Sequence, residues 1–336
     1  MIREAIQKLA SRENLSRQEA FETMNEIMSG NASEAQIASF LMGLRLKGET
    51  IPEIAGCAQS MREKSVPIRS KHEDIIDTCG TGGDSSGTFN ISTCAAIIAS
   101  GAGAHVAKHG NRAVSSQSGS ADVLRALGVN LDISPEMVTQ ILDEVGITFL
   151  FAPQLHGAMK FAAPVRRDMG IRTIFNILGP LTNPAGARRQ LLGVFNPALT
   201  EVLAGVLREL GSEHALVVHG EGGLDELSTI GWTKVTQLRN GVVTTYELTV
   251  ESCGIGRGSI EHLRGGEASL NAEIVNGVLA GKGGPTTDIA VLNAGAALTV
   301  AGVAKDLSEG ITRSRDSISS GAAMKKLYQW KEASHS

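Results

Sequence analysis

The run Lys108-His109-Gly110-Asn111-Arg112-Ala113-Val114-Ser115-Ser116 gathers two cations, an imidazole, an amide and two hydroxyls around one glycine. Small apolar residues precede it, and Ala121 to Leu127 behind it has helix spacing. That setting predicts a connection from a strand at His105 to Ala107 into a helix, which Ser120 would cap. Cationic side chains and free N–H groups at such a junction suit an anion, phosphate first. A solvated basic loop is the plainer alternative, and so short a run does not exclude it.

A second stretch, Asp77-Thr78-Cys79-Gly80-Thr81-Gly82-Gly83-Asp84, continues through Thr88 to Asn90-Ile91-Ser92-Thr93. It follows an apolar pair, Ile75-Ile76, and precedes a helix, so its N–H groups are free to face a phosphate. It is not a P-loop, since no Gly-Lys-Ser/Thr closes it. It is not a dinucleotide fingerprint, since the third glycine is missing. Asp84 would repel a phosphate unless cations intervene, which implies metal ions or a hydroxyl-rich sugar as its partner. Asp225-Glu226 comes just after the apolar strand Ala215 to Val218. Carboxylates at the end of a parallel strand are hard ligands for Mg2+ bridging to a pyrophosphate. Alone they read as an exposed acidic turn. Of Arg166-Arg167, one guanidinium is expected to face a site and hold a carboxylate, the other to face water.

The elements that must position these residues fall into two groups. Residues 1–70 read as a helical layer, with capping boxes at Ser16/Glu19, Ser33/Gln36 and Thr50/Glu53 and glycine stops at Gly30 and Gly48. Residues 71–336 alternate short apolar runs with helices, the pattern of an α/β domain with a mostly parallel sheet. Asn240-Gly241 predicts a hairpin near the sheet edge. Helices from about 155–188, broken by Pro164, Pro180 and Pro184, are expected to return to the helical layer. Ile289 to Ala304 is apolar but interrupted by Asn293, and reads as a buried helix.

Composition narrows the function classes. Net charge is −4 and aromatics are 4%, against a nucleic-acid binder with stacking platforms. The 39 glycines exceed ordinary usage and imply many sharp turns or close approaches. Four cysteines without CxxC spacing argue against a disulfide framework or zinc site and for a reducing compartment. No run is apolar enough to span a bilayer, and Met1 to Ser11 lacks a signal-peptide core, so a cytoplasmic location is expected.

Together these motifs resemble the anthranilate phosphoribosyltransferases. The resemblance runs nearly end to end. It is carried by Gly80 to Asp84, Asn90 to Thr93, Lys108 to Arg112, Arg172-Thr173-Ile174-Phe175-Asn176-Ile177-Leu178-Gly179-Pro180-Leu181-Thr182-Asn183-Pro184, and Asp225-Glu226. It implies the nucleoside phosphorylase/phosphoribosyltransferase-like fold, a homodimer through the helical layer, Mg2+, and the substrates anthranilate and 5-phosphoribosyl 1-pyrophosphate. By position, Gly80, Gly83, Asp84, Thr88, Asn90, Ile91, Ser92 and Thr93 look like the sugar-diphosphate loop. Lys108, His109, Gly110, Asn111, Arg112, Ala113, Val114, Ser115, Ser116 and Ser120 look like its second wall. Ser92, Asp225 and Glu226 look like the metal ligands, and Gly80, Asn111 and Arg166 like the anthranilate contacts. No dedicated catalytic base is expected; Lys108 would support, and His109 or a water would take the late proton. Gly157 stands after His156 where the family pattern has proline, which loosens the loop there. The rivals are a nucleoside phosphorylase of the same fold, which would need no metal, and a non-catalytic nucleic-acid-binding relative.

Overall fold

The computed structural model describes residues 1–84, 86–113 and 117–336. Val114, Ser115 and Ser116 of the polar run therefore lie outside the described residues. The chain opens with four helices, α1 (Ile2–Ala10), α2 (Arg17–Met28), α3 (Glu34–Lys47) and α4 (Ile51–Lys64). Ser16 and Glu19 exchange hydrogen bonds as a capping box, and Ser33 and Gln36 do the same. At the third start, Glu53 accepts from both the N–H and the hydroxyl of Thr50. The same buried carboxylate takes the Leu15 N–H and the Lys47 ammonium, so it ties three segments together.

The apolar stripes of these helices share one cluster with Ala162, Val165, Ile174, Phe175, Ile177, Leu178 and Leu181 from the proline-broken region. Leu192, Val194, Leu203, Leu207 and Val217 belong to the same cluster, so the helical layer packs directly on one face of the sheet. The other face is covered chiefly by α5 (Ile91–Gly101) and by the buried helix Pro285–Ala301.

The sheet has seven strands: β1 (Ile76–Gly80), β2 (Val106–Gly110), β3 (Ile147–Phe151), β4 (Arg189–Gly193), β5 (His214–Gly220), β6 (Trp232–Arg239) and β7 (Val242–Thr249). Their order is β3-β2-β1-β4-β5-β6-β7. The first five are parallel, and β6 and β7 are antiparallel, joined at Asn240-Gly241 with both residues at positive φ. The chain winds outward from β1 through β2 to β3, then returns to β4 on the other side of β1. The switch point thus lies between β1 and β4. In open α/β sheets the crevice at the carboxyl ends of such a strand pair is where ligands bind.

Two local expectations are corrected. Strand β2 does not stop at Ala107; Lys108, His109 and Gly110 pair with Phe149, Leu150 and Phe151 of β3. The ladder supplies partners for their backbone, so only the second half of the polar run is a connection. Ser120 does not cap the following helix. Gly119 is the N-cap, and the Asp122 carboxylate accepts its N–H at 2.9 Å and that of Ala113 at 3.1 Å. A side chain at 119 would press on the Ala113 nitrogen at 2.4 Å, so only glycine fits there. Among the described residues no helix is long and apolar enough to cross a membrane.

Candidate active site

Gly80 and Gly193 are register partners at the ends of β1 and β4, the switch-point strands. A Cβ at Gly193 would lie 1.5 Å from the Asp225 carbonyl oxygen, and one at Gly80 would lie 2.4 Å from Asp225 Oδ2. These two glycines let the loop after β5 fold back over the strand ends. The loop is then held from several sides. The Gly82 N–H donates to Asp225 Oδ2 at 3.0 Å. Asn293 of the buried helix accepts the Leu227 N–H and donates to the Leu227 carbonyl, both at 2.9 Å. The Ser92 N–H, at the start of α5, supports the Glu226 carboxylate.

Lys108 is buried on β2, one strand away. Its ammonium donates to the Thr78 carbonyl and, at 3.1 Å, to Ser92 Oγ. Burial lowers its pKa from the ordinary value, against the pull of Asp77, Glu226 and Asp225. Burial, then repulsion from Asp84, pushes the Asp225 carboxyl up to about 7. Burial, then repulsion from Asp225, pushes Glu226 well above the usual carboxylate range, with Asp84 adding to it. Asp84, Lys108, Asp225, Glu226 and Ser92 therefore meet at one place. Three carboxylates face a single ammonium that is itself penalised by burial. A hard divalent cation would relieve their repulsion, and carboxylate and hydroxyl oxygens are the donors Mg2+ takes.

The glycine-rich loop is braced from the far end of the chain. Thr88 bridges to Arg264, the Phe89 N–H donates to Leu263, and the Gly265 N–H donates to Gly87. Asn271 Nδ2 donates to Asn90 Oδ1 at 2.9 Å. Asp84 accepts from the Ser86 hydroxyl, and the Arg172 guanidinium donates to the Gly83 carbonyl while lying 4.1 Å from the Phe195 ring centroid. Ile91 and Thr93 are buried in α5, so their side chains belong to the core and only backbone groups can serve a ligand.

Behind the site runs a buried polar chain. Asp77 accepts from the His109 N–H at 3.0 Å and from Asn183 Nδ2 at 2.8 Å, and Asn183 also donates to the Ala107 carbonyl. Alternation along β2 sends the Lys108 and His109 side chains to opposite faces. The His109 ring meets His156, Nε2 to Nε2 at 3.1 Å, and also donates to the Gly179 carbonyl. With one N–H given to Gly179, His109 must accept from His156. Burial, with His156 beside it, lowers His109 to about 3, and burial lowers His156 to about 4. This corrects one expectation: His109 has no free lone pair and is a poor proton acceptor. It also gives His156 a role, as the donor that fixes the His109 ring.

The remaining cations are less firmly placed. Arg166 is half-buried with its guanidinium 5.1 Å from the Phe175 ring centroid, while Arg167 is exposed. Arg112 is exposed and lies 5.5 Å from the Phe151 ring centroid. Asn111 is exposed; its side chain accepts the Arg112 N–H and its carbonyl accepts from Ala121. No contact among the described residues joins Arg166 to Gly80 or Asn111. Sequence reasoning missed Asn293, Asn271, Asp77, Asn183 and Arg172 as site supports. The signals available were Asp77, Arg172 and Asn183 inside the quoted motifs and Asn293 as an amide in the middle of an apolar helix; Asn271 had none.

Profiles of two glycosyl transferase family domains match the chain, the helical bundle domain over residues 3–65 and the α/β domain over residues 72–324. An anthranilate phosphoribosyltransferase of Acetivibrio thermocellus is 52% identical over 336 residues, covering 100% of this chain and 97% of that protein. The crystal structure of anthranilate phosphoribosyltransferase from Thermus thermophilus superposes with a TM-score of 0.94 at 42% identity, covering 99% of both chains. The Saccharomyces cerevisiae enzyme in complex with PRPP and Mg superposes with a TM-score of 0.90 at 28% identity, covering 99% of this chain and 98% of that one.

Proposed function

The chain belongs to the anthranilate phosphoribosyltransferase family, and from that premise we propose how its residues divide the work. The enzyme transfers the phosphoribosyl group of 5-phosphoribosyl 1-pyrophosphate to the amine of anthranilate, giving N-(5-phosphoribosyl)anthranilate and pyrophosphate in tryptophan biosynthesis. The observation that carries the site assignment is the convergence of Asp84, Lys108, Asp225 and Glu226 over Gly80 and Gly193 at the switch point.

The loop Gly80, Gly83, Asp84, Thr88 and Asn90 to Thr93 takes the sugar diphosphate, through N–H groups and hydroxyls at the α5 start. Lys108 and the following loop, with Arg112 and Ser120, form the opposite wall. Asp225, Glu226 and Ser92 hold Mg2+, which when bound supplies positive charge to the leaving diphosphate. Lys108 adds a fixed charge in a water-poor setting, where it acts more strongly than in bulk water. Arg166 takes the anthranilate carboxylate and aims the amine at the anomeric carbon.

An aryl amine is neutral at pH 7 and needs no activating base, so catalysis rests on positioning and electrostatics. His109 and His156 stay neutral and hold the wall in place; water takes the late proton. The protein works as a homodimer through its helical layer, in the cytoplasm. A nucleoside phosphorylase would have no use for a carboxylate cluster of this kind. Anthranilate fluorescence tests the reading: it should fall only when the sugar diphosphate and Mg2+ are both present, and a fall that persists without Mg2+ would refute the assignment.

A further inference from the structure

The opposite edge of the sheet, where the parallel strands begin, holds a second group of ligating side chains. The segment from α4 to β1 brings His72 and Asp74 there, and His105 stands just before β2. One donor atom from each of the three lies within 4.8 Å of the other two. His105 Nδ1 is 2.9 Å from Asp74 Oδ1, and the His72 and His105 rings stack at 3.6 Å between centroids and 16° between planes.

The segment that carries His72 is anchored. The Ser70 hydroxyl and the Lys71 N–H both donate to Asp143 Oδ1, and His72 Nε2 is 3.3 Å from the Asp143 carbonyl. Those bonds engage Asp143 Oδ1, and the clustered donor set is two imidazole nitrogens and one carboxylate oxygen. All three residues are partly open to solvent, so water can complete a coordination shell. Nothing in the reaction uses them. His105 precedes β2 at the amino ends of the parallel strands, whereas Asp225 folds back over Gly80 and Gly193 at their carboxyl ends, so this cluster is separate from the proposed Mg2+ donors.

Two imidazoles with one carboxylate suit borderline ions of the Zn2+ kind, whereas Mg2+ prefers oxygen alone. We propose that His72, Asp74 and His105 form a binding site for a borderline divalent transition-metal ion, with Zn2+ as its representative. The bound ion ties the connection between the helical layer and the sheet to the entry of β2. His72 turns off its stack to bring its nitrogen to the ion; this is a side-chain rotation in a half-buried residue.

Equilibrium dialysis of the full-length protein against Zn2+ in excess Mg2+ tests this, alongside His72→Ala, His105→Ala and a D225N/E226Q double variant. The expected result is one Zn2+ per chain in the wild type and in the double variant. Either histidine variant should bind at least about tenfold more weakly while keeping its transferase activity. No stoichiometric uptake, uptake unchanged in both histidine variants, or uptake lost only in the double variant overturns the proposal. If a histidine variant loses activity and so does not report cleanly, the visible spectrum of Co2+ bound to the wild type decides. Bands of nitrogen-ligated cobalt support the site, and a spectrum of oxygen ligands alone overturns it.

Discussion

Asp225 and Glu226 sit on a loop that buried atoms fix from several directions, whereas Arg112 and Arg166 rest against single aromatic rings at more open positions. The acidic side carries mutual repulsion that folding does not relieve, and glycine contacts and the Asn293 clasp hold it there. The guanidinium side carries no comparable strain and has few bonds to lose. The difference teaches which half is built in advance. On the proposed assignment, a metal and a diphosphate would arrive at a cluster of carboxylates that burial and mutual repulsion make hard to ionise, and a small aromatic acid at more open side chains.

The sharpest break of that contrast is Glu226→Gln. It should cost about 100- to 1000-fold in kcat/KM, because charge stabilisation at the leaving group is lost. The metal-free protein should meanwhile melt no lower than wild type, since a carboxylate raised by burial and repulsion destabilises the fold. A large drop in melting temperature would contradict the reading of stored repulsion. Next in size is Asn293→Ala, which leaves the buried N–H and carbonyl of Leu227 unpaired. Urea unfolding should show a loss of about 2–4 kcal/mol, and Mg2+ affinity should fall with it. Unchanged Mg2+ affinity would mean that the loop does not need the clasp.

The histidine pair sharpens the comparison through pH. In the unfolded chain His109 and His156 return to their ordinary value of 6.5, while folded they sit at about 3 and about 4. Below 6.5 the unfolded state takes up protons that the folded state refuses. The stability is thus fully present above 6.5 and is lost as pH falls toward 4, by about 2 kcal/mol per histidine at pH 5. Urea unfolding at pH 7.5, 6 and 5 reads this loss, and His156→Gln should reduce it by about half, since burial still holds His109 down. The smallest effect belongs to the open side. Arg166→Ala should raise the anthranilate KM about tenfold and leave the sugar-diphosphate KM nearly unchanged. Equal rises in both would remove Arg166 from the acceptor.

Much of the fold was legible because short-range physics writes it into the chain. The capping pairs at Ser16 and Ser33, the Asn240-Gly241 hairpin and the alternation from Ile75 onward depend on neighbours a few residues apart. The positions of the phosphate-type loop and the acidic doublet were legible too, as unusual residue types after apolar runs. The extension of β2 through Lys108 to Gly110 was not, because a partner strand at 147–151 outweighs the local preference of a polar, glycine-bearing run. The capping role of Ser120 was misread because the helix begins one residue earlier: Gly119 is the N-cap, and its carbonyl accepts the Asp122 and Val123 N–H groups.

What the sequence determined by itself was chemistry: carboxylates, hydroxyls, an ammonium and glycines, each placed where a strand gives way to a loop. Their electrostatics belonged to the folded chain alone. A carboxyl at position 225 becomes hard to ionise only once Asp84 and low-dielectric walls, remote along the polymer, surround it. Tertiary packing also decided which amides serve as braces, because Asn183, Asn271 and Asn293 acquire their partners only when distant segments meet. Residue type fixes what a group is able to do, while burial and neighbours, which no local pattern encodes, fix its charge and its aim.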